Sequence, residues 1–349
     1  MKKTAKISAF ILVAVLAMGV LACVTGCGSS SSSASGSASA ASSESTASAA
    51  ATGESTTLGV AYQYGLSYAP VVIAKEQGLI EKAYKEATGN DVTIEWNQMS
   101  SGADINTGIT SGSIDVGFMG IAPAITGIVT GLDYKIFANI SGQEHGMTTN
   151  EADIKSLSDL IGSDKQIALV NIGSIQHLIL AKALADNGYD AHALDSNIVA
   201  MKHPDGMAAL QSGSLACHLT SSPYIFTERA DSSLHELDEV TKAWTRDDSF
   251  IVGVASEKLH ENEALYQALC DAIAEAQGYI ASNPEDAAAM LAEFDGNTAE
   301  QELEYLSQGS YTSNTKNLFS MATFMAENSF IDKAPESYDA LVYDNVQGD

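Results

Sequence analysis

Apolar residues along the chain alternate between short runs with strand character and longer stretches at helical spacing. In the first half, the short runs predict buried strands at residues 58–61, 92–96, 114–119 and 134–140. Between the first two strands, a single helix is predicted from the candidate N-cap Ser67 to the stop at Gly89. From residue 153 a similar order recurs, with strands predicted at 166–170, 198–201 and after residue 214, and helices at 175–187 and 205–211. Strands that alternate with helices in this way are typical of parallel βαβ units, so we predict an α/β fold of two similar lobes.

One motif occurs once in each half, as SGSIDVGFMGIAP at 111–123 and as SGSLACHLTSSP at 212–223. Each copy predicts a turn, a short strand and a loop whose proline opens the next helix. The N–H groups at such a helix start are free to bind a polar ligand. We therefore expect Gly120-Ile121 and Ser221-Ser222 to face each other across a cleft. Because the second copy offers hydroxyl groups, the polar end of a ligand should lean toward the second lobe.

The pattern changes beyond residue 241, where helices dominate. A strand is predicted at 249–255, followed by helices at 263–283, 284–294, 299–308 and 338–346. A segment with so few strands cannot form a sheet of its own, so it should pack back onto the first lobe.

The N-terminus has the features of a processing signal. A basic start precedes an apolar stretch at 7–21 that is short for a membrane span. The sequence Val24-Thr25-Gly26-Cys27 resembles a bacterial lipobox, which predicts a signal peptide at 1–26 and lipidation of Cys27. Cys23 is a second candidate, and a plain secretory peptide with two incidental cysteines is the alternative. Residues 27–56 are mostly Ser, Ala, Gly and Thr, so we predict a lipid-anchored flexible tether.

Charge narrows the possible partners and chemistry. The whole chain has 17 basic and 44 acidic residues, and three of the basic ones lie in the signal. This balance excludes nucleic-acid binding. Cys217 and Cys270 fall on a predicted strand and helix, where they suit small apolar packing. The seven histidines lack metal-ligand spacing, so we predict no metal, no cofactor and no catalytic residue.

Several motifs in this order resemble one family. They are Ala69-Pro70 with AKEQGL after it, the two SGS motifs, Ser158-Asp159-Leu160, and Gly173-Ser174 with His177 one turn on. The chain resembles the substrate-binding lipoproteins of ABC importers, in the group that handles nitrate, taurine, alkanesulfonates and thiamine-pyrimidine precursors.

This resemblance implies a two-lobed periplasmic-binding-protein fold of type II, with mostly parallel sheets flanked by helices and two crossovers. Lobe one would comprise 57–141 plus 249–349, and lobe two 142–248. It also implies a small-molecule ligand, an ABC permease with its ATPase, and a monomer anchored at the extracytoplasmic face of the membrane. Loop residues after the strands then become ligand-binding candidates, namely Tyr62, Gln63, Tyr64, Tyr68, Gly120, Ile121, Ser174, His177, Ser221, Ser222 and Tyr224.

Two departures from the family pattern affect this interpretation. Ala216 replaces the usual acidic residue of the second motif, and beyond the signal the chain has only two arginines, Arg229 and Arg246. A sulfonate-like organic anion is the favoured ligand, and the tyrosine-rich loop makes a pyrimidine-type heterocycle its rival. An enzyme on the same fold, of the menaquinone-pathway type, is an alternative that the signal and tether oppose. A sensor lipoprotein without a permease also remains open.

Overall fold

The computed structural model describes residues 56–349, so the predicted signal, tether and Cys27 lie outside the described residues. Five strands form the sheet of lobe one: β1 (Thr56–Tyr62), β2 (Val92–Gln98), β3 (Val116–Gly120), β4 (Tyr134–Ser141) and β10 (Ile251–Ser256). Their order is β2-β1-β3-β10-β4. The pairs of β1 with β2 and β3 are parallel, whereas β10 runs antiparallel to β3 and β4.

The sheet of lobe two has the same plan. It contains β5 (His145–Thr149), β6 (Ile167–Leu169), β7 (Ile198–Ala200), β8 (Cys217–Ser221) and β9 (His235–Glu236), in the order β7-β6-β8-β5-β9. The pairs of β6 are parallel and those of β5 are antiparallel. Each sheet is thus mixed, and its antiparallel strand is the one that enters from the other lobe. The two crossovers follow β4 and β9, while the exact lobe boundaries stay a prediction.

Thirteen α-helices flank the two sheets within residues 56–349. They are α1 (Ala69–Gln77), α2 (Leu79–Thr88), α3 (Gly102–Ser111), α4 (Ile121–Val129), α5 (Ile175–Asp186), α6 (His203–Gln211), α7 (Tyr224–Ala230), α8 (Asp238–Thr241), α9 (Glu257–His260), α10 (Glu263–Ser282), α11 (Pro284–Asp295), α12 (Ala299–Ser307) and α13 (Leu318–Glu327). Within this part of the chain, no helix combines the length and apolar character needed to cross a membrane.

Three expectations about the elements were wrong. A single helix from residue 67 to 89 is instead α1 and α2, because Gly78 adopts a left-handed conformation with φ 60°. The helix predicted at 338–346 is only a short 3₁₀ turn, Tyr338–Ala340, since Val342 pairs with Ile136 at the edge of the sheet. The strand β5 and the helix α13 were not predicted.

The C-terminal helices do pack back onto lobe one, as predicted. Helix α10 lies against α1 and α2, and α13 lies against α4. The last helices therefore place Asn328 and Phe330, which follow α13, beside lobe two without belonging to its sheet.

Candidate functional site

A narrow cleft lies between the lobes. Many of its lining residues directly follow the carboxyl ends of strands β1, β3, β6, β7 and β8, which is where open α/β sheets bind ligands. Lobe one contributes Gln63, Tyr64, Ser67, Tyr68, Ser100, Gly102, Gly120, Pro123 and Ile251. Lobe two contributes Val170, Ser174, Ile175, Gln176, Lys202, His203 and Ser221.

The wall from lobe one is aromatic and holds hydroxyl groups. The amide of Gln63 donates to the hydroxyl oxygen of Tyr68 at 2.7 Å, so the hydroxyl proton of Tyr68 remains available to another acceptor. Burial raises the pKa of Tyr68, which keeps this group neutral. Ser67 is only 2% exposed, and its hydroxyl has no partner among the described residues. Such a buried orphan group indicates a place where a polar ligand atom would fit.

Lobe two supplies the charge of the cleft. Among the described lining residues, Lys202 alone carries a positive charge, and none is Asp or Glu. Its ammonium nitrogen lies 5.5 Å from the ring centroid of Tyr64 across the cleft and 3.7 Å from a carboxylate oxygen of Asp205. Lys202 was not among the predicted ligand-binding residues, although its place immediately after the predicted strand at 198–201 could have indicated it.

The floor of the cleft is polar but neutral. The ring Nε2 of His203 lies 3.3 Å from the amide nitrogen of Gln176, and its Nδ1 lies 2.9 Å from the hydroxyl of Thr220. Because an amide nitrogen can only donate, Nε2 accepts and Nδ1 carries the proton. Burial, followed by the neighbouring His218 and His145, holds the pKa of His203 well below its usual range. Ser174 caps α5 by accepting the N–H of residue 177, and its own proton stays free.

A buried polar group supports this floor from within lobe two. Glu228 on α7 accepts a hydrogen bond from Thr148 on β5 and lies 2.5 Å from Nδ1 of His218 on β8. His218 and Glu228 are fully buried, and Thr148 is nearly so. Side-chain pairing of this kind explains how β5, with its polar sequence, lies inside the sheet.

The structure brings six of the eleven predicted ligand residues together in the cleft: Gln63, Tyr64, Tyr68, Gly120, Ser174 and Ser221. Tyr62 and Tyr224 line a neighbouring groove instead. Ile121, Ser222 and His177 line neither space. The N–H of Ile121 donates to the carbonyl of Phe250 at 2.8 Å, so it is not the free donor that the motif suggested.

His177 belongs to a separate cluster at the edge of the lobes. The carboxylate of Asp195 lies 2.8 Å from Nε2 of His177 and 2.9 Å from Nδ1 of His192. These donor atoms lie within 4.8 Å of one another, a spacing that a metal ion could use. However, the N–H of Gly173 donates to Nδ1 of His177, and Nε2 of His192 lies 2.6 Å from the carbonyl of Asn328. The ring nitrogens are therefore committed to hydrogen bonds, and we assign no metal here.

These hydrogen-bond partners also determine which ring nitrogens of His177 and His192 carry a proton. Since Nδ1 of His177 accepts from an N–H, its Nε2 donates to Asp195 and the ring is neutral; burial correspondingly lowers the pKa of His177. The carbonyl of Asn328 can only accept, so Nε2 of His192 holds a proton, and Nδ1 needs a second proton to donate to Asp195. The hydrogen bond to Asn328 raises the pKa of His192, with Asp195 acting in the same direction. The two acceptors, Asp195 and the carbonyl of Asn328, thus favour the protonated form of His192, which links lobe two to the C-terminal segment.

Two further contacts join the lobes around the cleft. The N–H of Leu66 donates to the carbonyl of Ser222 at 3.2 Å. The rings of Phe226 on α7 and Tyr305 on α12 are stacked with centroids 5.1 Å apart. Together with the bond from His192 to Asn328, these contacts connect the two lobes.

Comparison with known proteins agrees with this architecture. The sequence profile described as the NMT1-like family matches residues 51–294, which is more than half of the chain. The chain belongs to the NMT1-like family. A protein of Escherichia coli (strain K12), whose name assigns it to the binding of aliphatic sulfonates, is 26% identical over 253 residues. That match covers 71% of this chain and 75% of the relative.

Solved structures share the fold of this family member. The alkanesulfonate-binding protein of Xanthomonas axonopodis pv. citri, bound to MOPS, superposes with a TM-score of 0.68 at 18% identity, over 85% of this chain and 99% of that one. The nitrate-binding protein of Synechocystis PCC 6803 gives 0.64 at 18% identity, over 82% and 84%. The predicted resemblance to ABC-transporter substrate-binding proteins and the two-lobed fold are confirmed. The relatives support a solute-binding role.

Proposed function

We propose that this protein is the extracytoplasmic solute-binding component of an ABC importer and that it captures a small organic anion of the sulfonate type. One observation carries the choice of ligand. The chain has a formal net charge of −27, yet the described lining of the cleft contains one lysine and no carboxylate. Lys202 pairs with Asp205 at 3.7 Å, but no carboxylate belongs to the described lining itself, so an anion bound beside Lys202 contacts no acidic side chain of that lining.

The remaining lining groups suit a sulfonate, whose three oxygens accept several hydrogen bonds. Hydroxyl donors come from both lobes, through Ser67 and Tyr68 on one side and Ser174 and Ser221 on the other. These groups are neutral, so they add donors without adding charge. A flat pyrimidine is the weaker candidate because the ammonium of Lys202 already lies over the ring of Tyr64, the surface on which a heterocycle would stack.

Binding and lobe closure follow from the same arrangement in this proposal. A ligand that contacts both walls stabilises the form in which the lobes meet, and that form is presented to a permease and its ATPase. The protein acts as a monomer held at the membrane by Cys27. The names of its relatives favour a binding protein over an enzyme, and a sensor without a permease remains the second candidate for the same cleft.

Isothermal titration with short sulfonates, nitrate and a pyrimidine tests the ligand class. We expect a short alkanesulfonate to bind, and Lys202→Met to weaken it about tenfold or more because a charged hydrogen bond contributes roughly 1.5–3 kcal/mol. Lys242→Met is the matched control, since this exposed lysine lies outside the cleft. Binding of the pyrimidine alone would reject the anion assignment, and a Lys202→Met variant with unchanged affinity would reject the role of the lysine.

Cell fractionation tests the anchor. Cys27→Ala should release the protein from the membrane, whereas Cys23→Ala should leave it attached. The reverse pattern would move the lipid to Cys23, and retention of both variants would reject lipidation at either cysteine.

A further inference from the structure

The two arginines that follow the predicted signal both lie outside the lining of the cleft. Arg246 is about half exposed, and its Nε lies 3.5 Å from a carboxylate oxygen of the adjacent Asp247. Arg229 on α7 has a side chain that is only 26% exposed, and its guanidinium contacts two carboxylates and an aromatic ring. Ligand binding does not explain these surroundings of Arg229.

Glu236 on β9 fixes the orientation of this guanidinium. The Nε of Arg229 donates to Oε2 of Glu236 at 2.7 Å, and a terminal amino group donates to Oε1 of the same carboxylate at 2.7 Å. A planar guanidinium forms two such parallel bonds in one orientation, so its plane is set by the carboxylate. The same amino group also donates to Oε1 of Glu144 at 2.8 Å. Arg229 therefore joins α7 to the edge strand β9 and to the segment that contains Glu144.

Glu144 lies in the first crossover, between β4 and β5. The residue before it, Gln143, is fully buried, and its amide donates to the hydroxyl of Tyr311 at 2.9 Å. Tyr311 belongs to the C-terminal segment, between α12 and α13. Two adjacent residues of the crossover are thus held by different parts of the molecule, Gln143 by the C-terminal segment and Glu144 by Arg229 of lobe two. A movement of the lobes relative to each other would bend the chain between these two residues.

The guanidinium of Arg229 also contacts one half of the aromatic pair between the lobes. Its carbon lies 5.6 Å from the ring centroid of Phe226, which precedes it by three residues on α7. Residues at this spacing are neighbours on a helix surface. The ring of Phe226 is in turn stacked on that of Tyr305 on α12, with an interplanar angle of 21°. Because a guanidinium is attracted to the face of an aromatic ring, Arg229 restricts the orientation of Phe226.

We propose that Arg229 is a positioning residue for lobe closure. It holds the ring of Phe226 in the orientation that meets Tyr305, and it fixes Glu144 so that bending is confined to the crossover and does not extend into lobe two. Arg229 acts through Phe226 and does not contact the ligand. This inference rests on the lobe closure of the proposed function, and it adds the residue that couples the crossover to the contact between the lobes.

Hydrogen exchange of the ligand-free protein, followed by NMR at single residues, tests the proposal without a ligand. The N–H of Leu66 donates to the carbonyl of Ser222 in the other lobe, so its exchange reports separation of the lobes. The N–H of Met99 donates to the carbonyl of Tyr62, and both residues belong to lobe one. Arg229→Gln should accelerate exchange at Leu66 about two- to fivefold and leave Met99 unchanged. Equal acceleration at both sites, or unchanged exchange at Leu66, would reject the positioning role.

Calorimetric titration with ethanesulfonate tests whether Arg229 acts through Phe226. Arg229→Gln should weaken binding by the same factor of about two to five, and it should have no further effect in the Phe226→Ala protein. Arg246→Gln is the matched control and should bind like the unmodified protein, because Arg246 pairs only with its neighbour Asp247. If Arg229→Gln has its full effect in the Phe226→Ala protein as well, the proposal is wrong. Failure of ethanesulfonate to bind would count against the proposed ligand class, and the exchange experiment would still decide the role of Arg229.

Discussion

The hydrogen bond from His192 to the carbonyl of Asn328 predicts that ligand affinity depends on pH. When protonated, His192 donates both to this carbonyl and to Asp195, with Asp190 and His177 also nearby. If the lobes separate, as the proposed function requires, Asp195 stays with His192, three residues away in the chain, whereas the bond to Asn328 is lost. Protonation of His192 should therefore favour the form that binds ligand.

The sign and size of the effect follow from this bond. The pKa of His192 is raised in the joined form, so its contribution is fully present below the ordinary pKa of histidine and is lost as pH rises through the raised pKa. A hydrogen bond from a charged group contributes roughly 1.5–3 kcal/mol. Because the side chain of His192 is 36% exposed, we reduce this to about 1 kcal/mol, which is about fivefold in affinity.

The measurement is ligand affinity by titration calorimetry between about pH 5.5 and about pH 8.5, the range in which histidine changes charge. In the His192→Gln variant, ligand affinity should no longer weaken as the pH rises. The unmodified protein alone does not isolate the effect of His192. The pKa of His177, whose ring lies 4.8 Å from that of Phe330, is lowered, so protonation of His177 opposes the contribution of His192 to affinity. The pH dependence must therefore be compared between variants.

His235→Gln is the matched control for this experiment. The ring of His235 also lies 2.7 Å from a backbone carbonyl, that of Ile154, but both residues belong to lobe two. This variant should keep the pH dependence of the unmodified protein. If His192→Gln keeps it as well, the link between the lobes does not depend on the proton of His192 and the reasoning is refuted.

Three other changes test the contacts around the cleft. Phe226→Ala removes a ring stacked on Tyr305, so ligand affinity measured by calorimetry should fall several-fold, from about 1 kcal/mol of aromatic pairing, and unchanged affinity would contradict a role in closure. Gly65→Ala should weaken binding, because φ is 102° and a Cβ would lie 3.1 Å from a carbonyl oxygen of lobe two. Gly131→Ala has a similar φ of 89° but open space, so it should affect stability alone; equal affinity losses in the two glycine variants would reject the steric argument. Glu228→Leu leaves two buried partners unpaired, so urea denaturation should show a loss of about 3 kcal/mol, and a loss below about 1 kcal/mol would contradict this.

The alternation of strands and helices was sufficient to predict the two lobes, because parallel βαβ units leave regular apolar runs. The pattern failed for β5, His145–Thr149, whose sequence is mostly polar. This strand is buried because Thr148 bonds to Glu228, which lies about eighty residues away in the chain. Apolar periodicity cannot show such a pairing.

The candidate site was predictable to a similar extent. Tyr64, Ser174 and Ser221 follow predicted strands, and the sheet topology brings them together. Ile121 has the same place in the pattern, but its N–H is used by Phe250 after the second crossover. Lys202 lies at an equally predictable position, yet only the structure shows that it is the one lysine or arginine of the described cleft lining and that its acidic partner, Asp205, lies outside that lining.

If the lobes close on the ligand, as we propose, the division of the site between them connects binding to closure. Lobe one provides the ring of Tyr64 and the unpartnered hydroxyl of Ser67, whereas lobe two provides the charge of Lys202. An anion that meets only one lobe gains either the cation or the opposing donors, so its full affinity requires both. The contacts of His192 and Phe226 lie outside the cleft and need no ligand. On the proposed closure they would stabilise the closed form without a ligand, so variants that weaken them should reduce the affinity for every ligand by the same factor. Lys202→Met should instead discriminate between anions and neutral molecules.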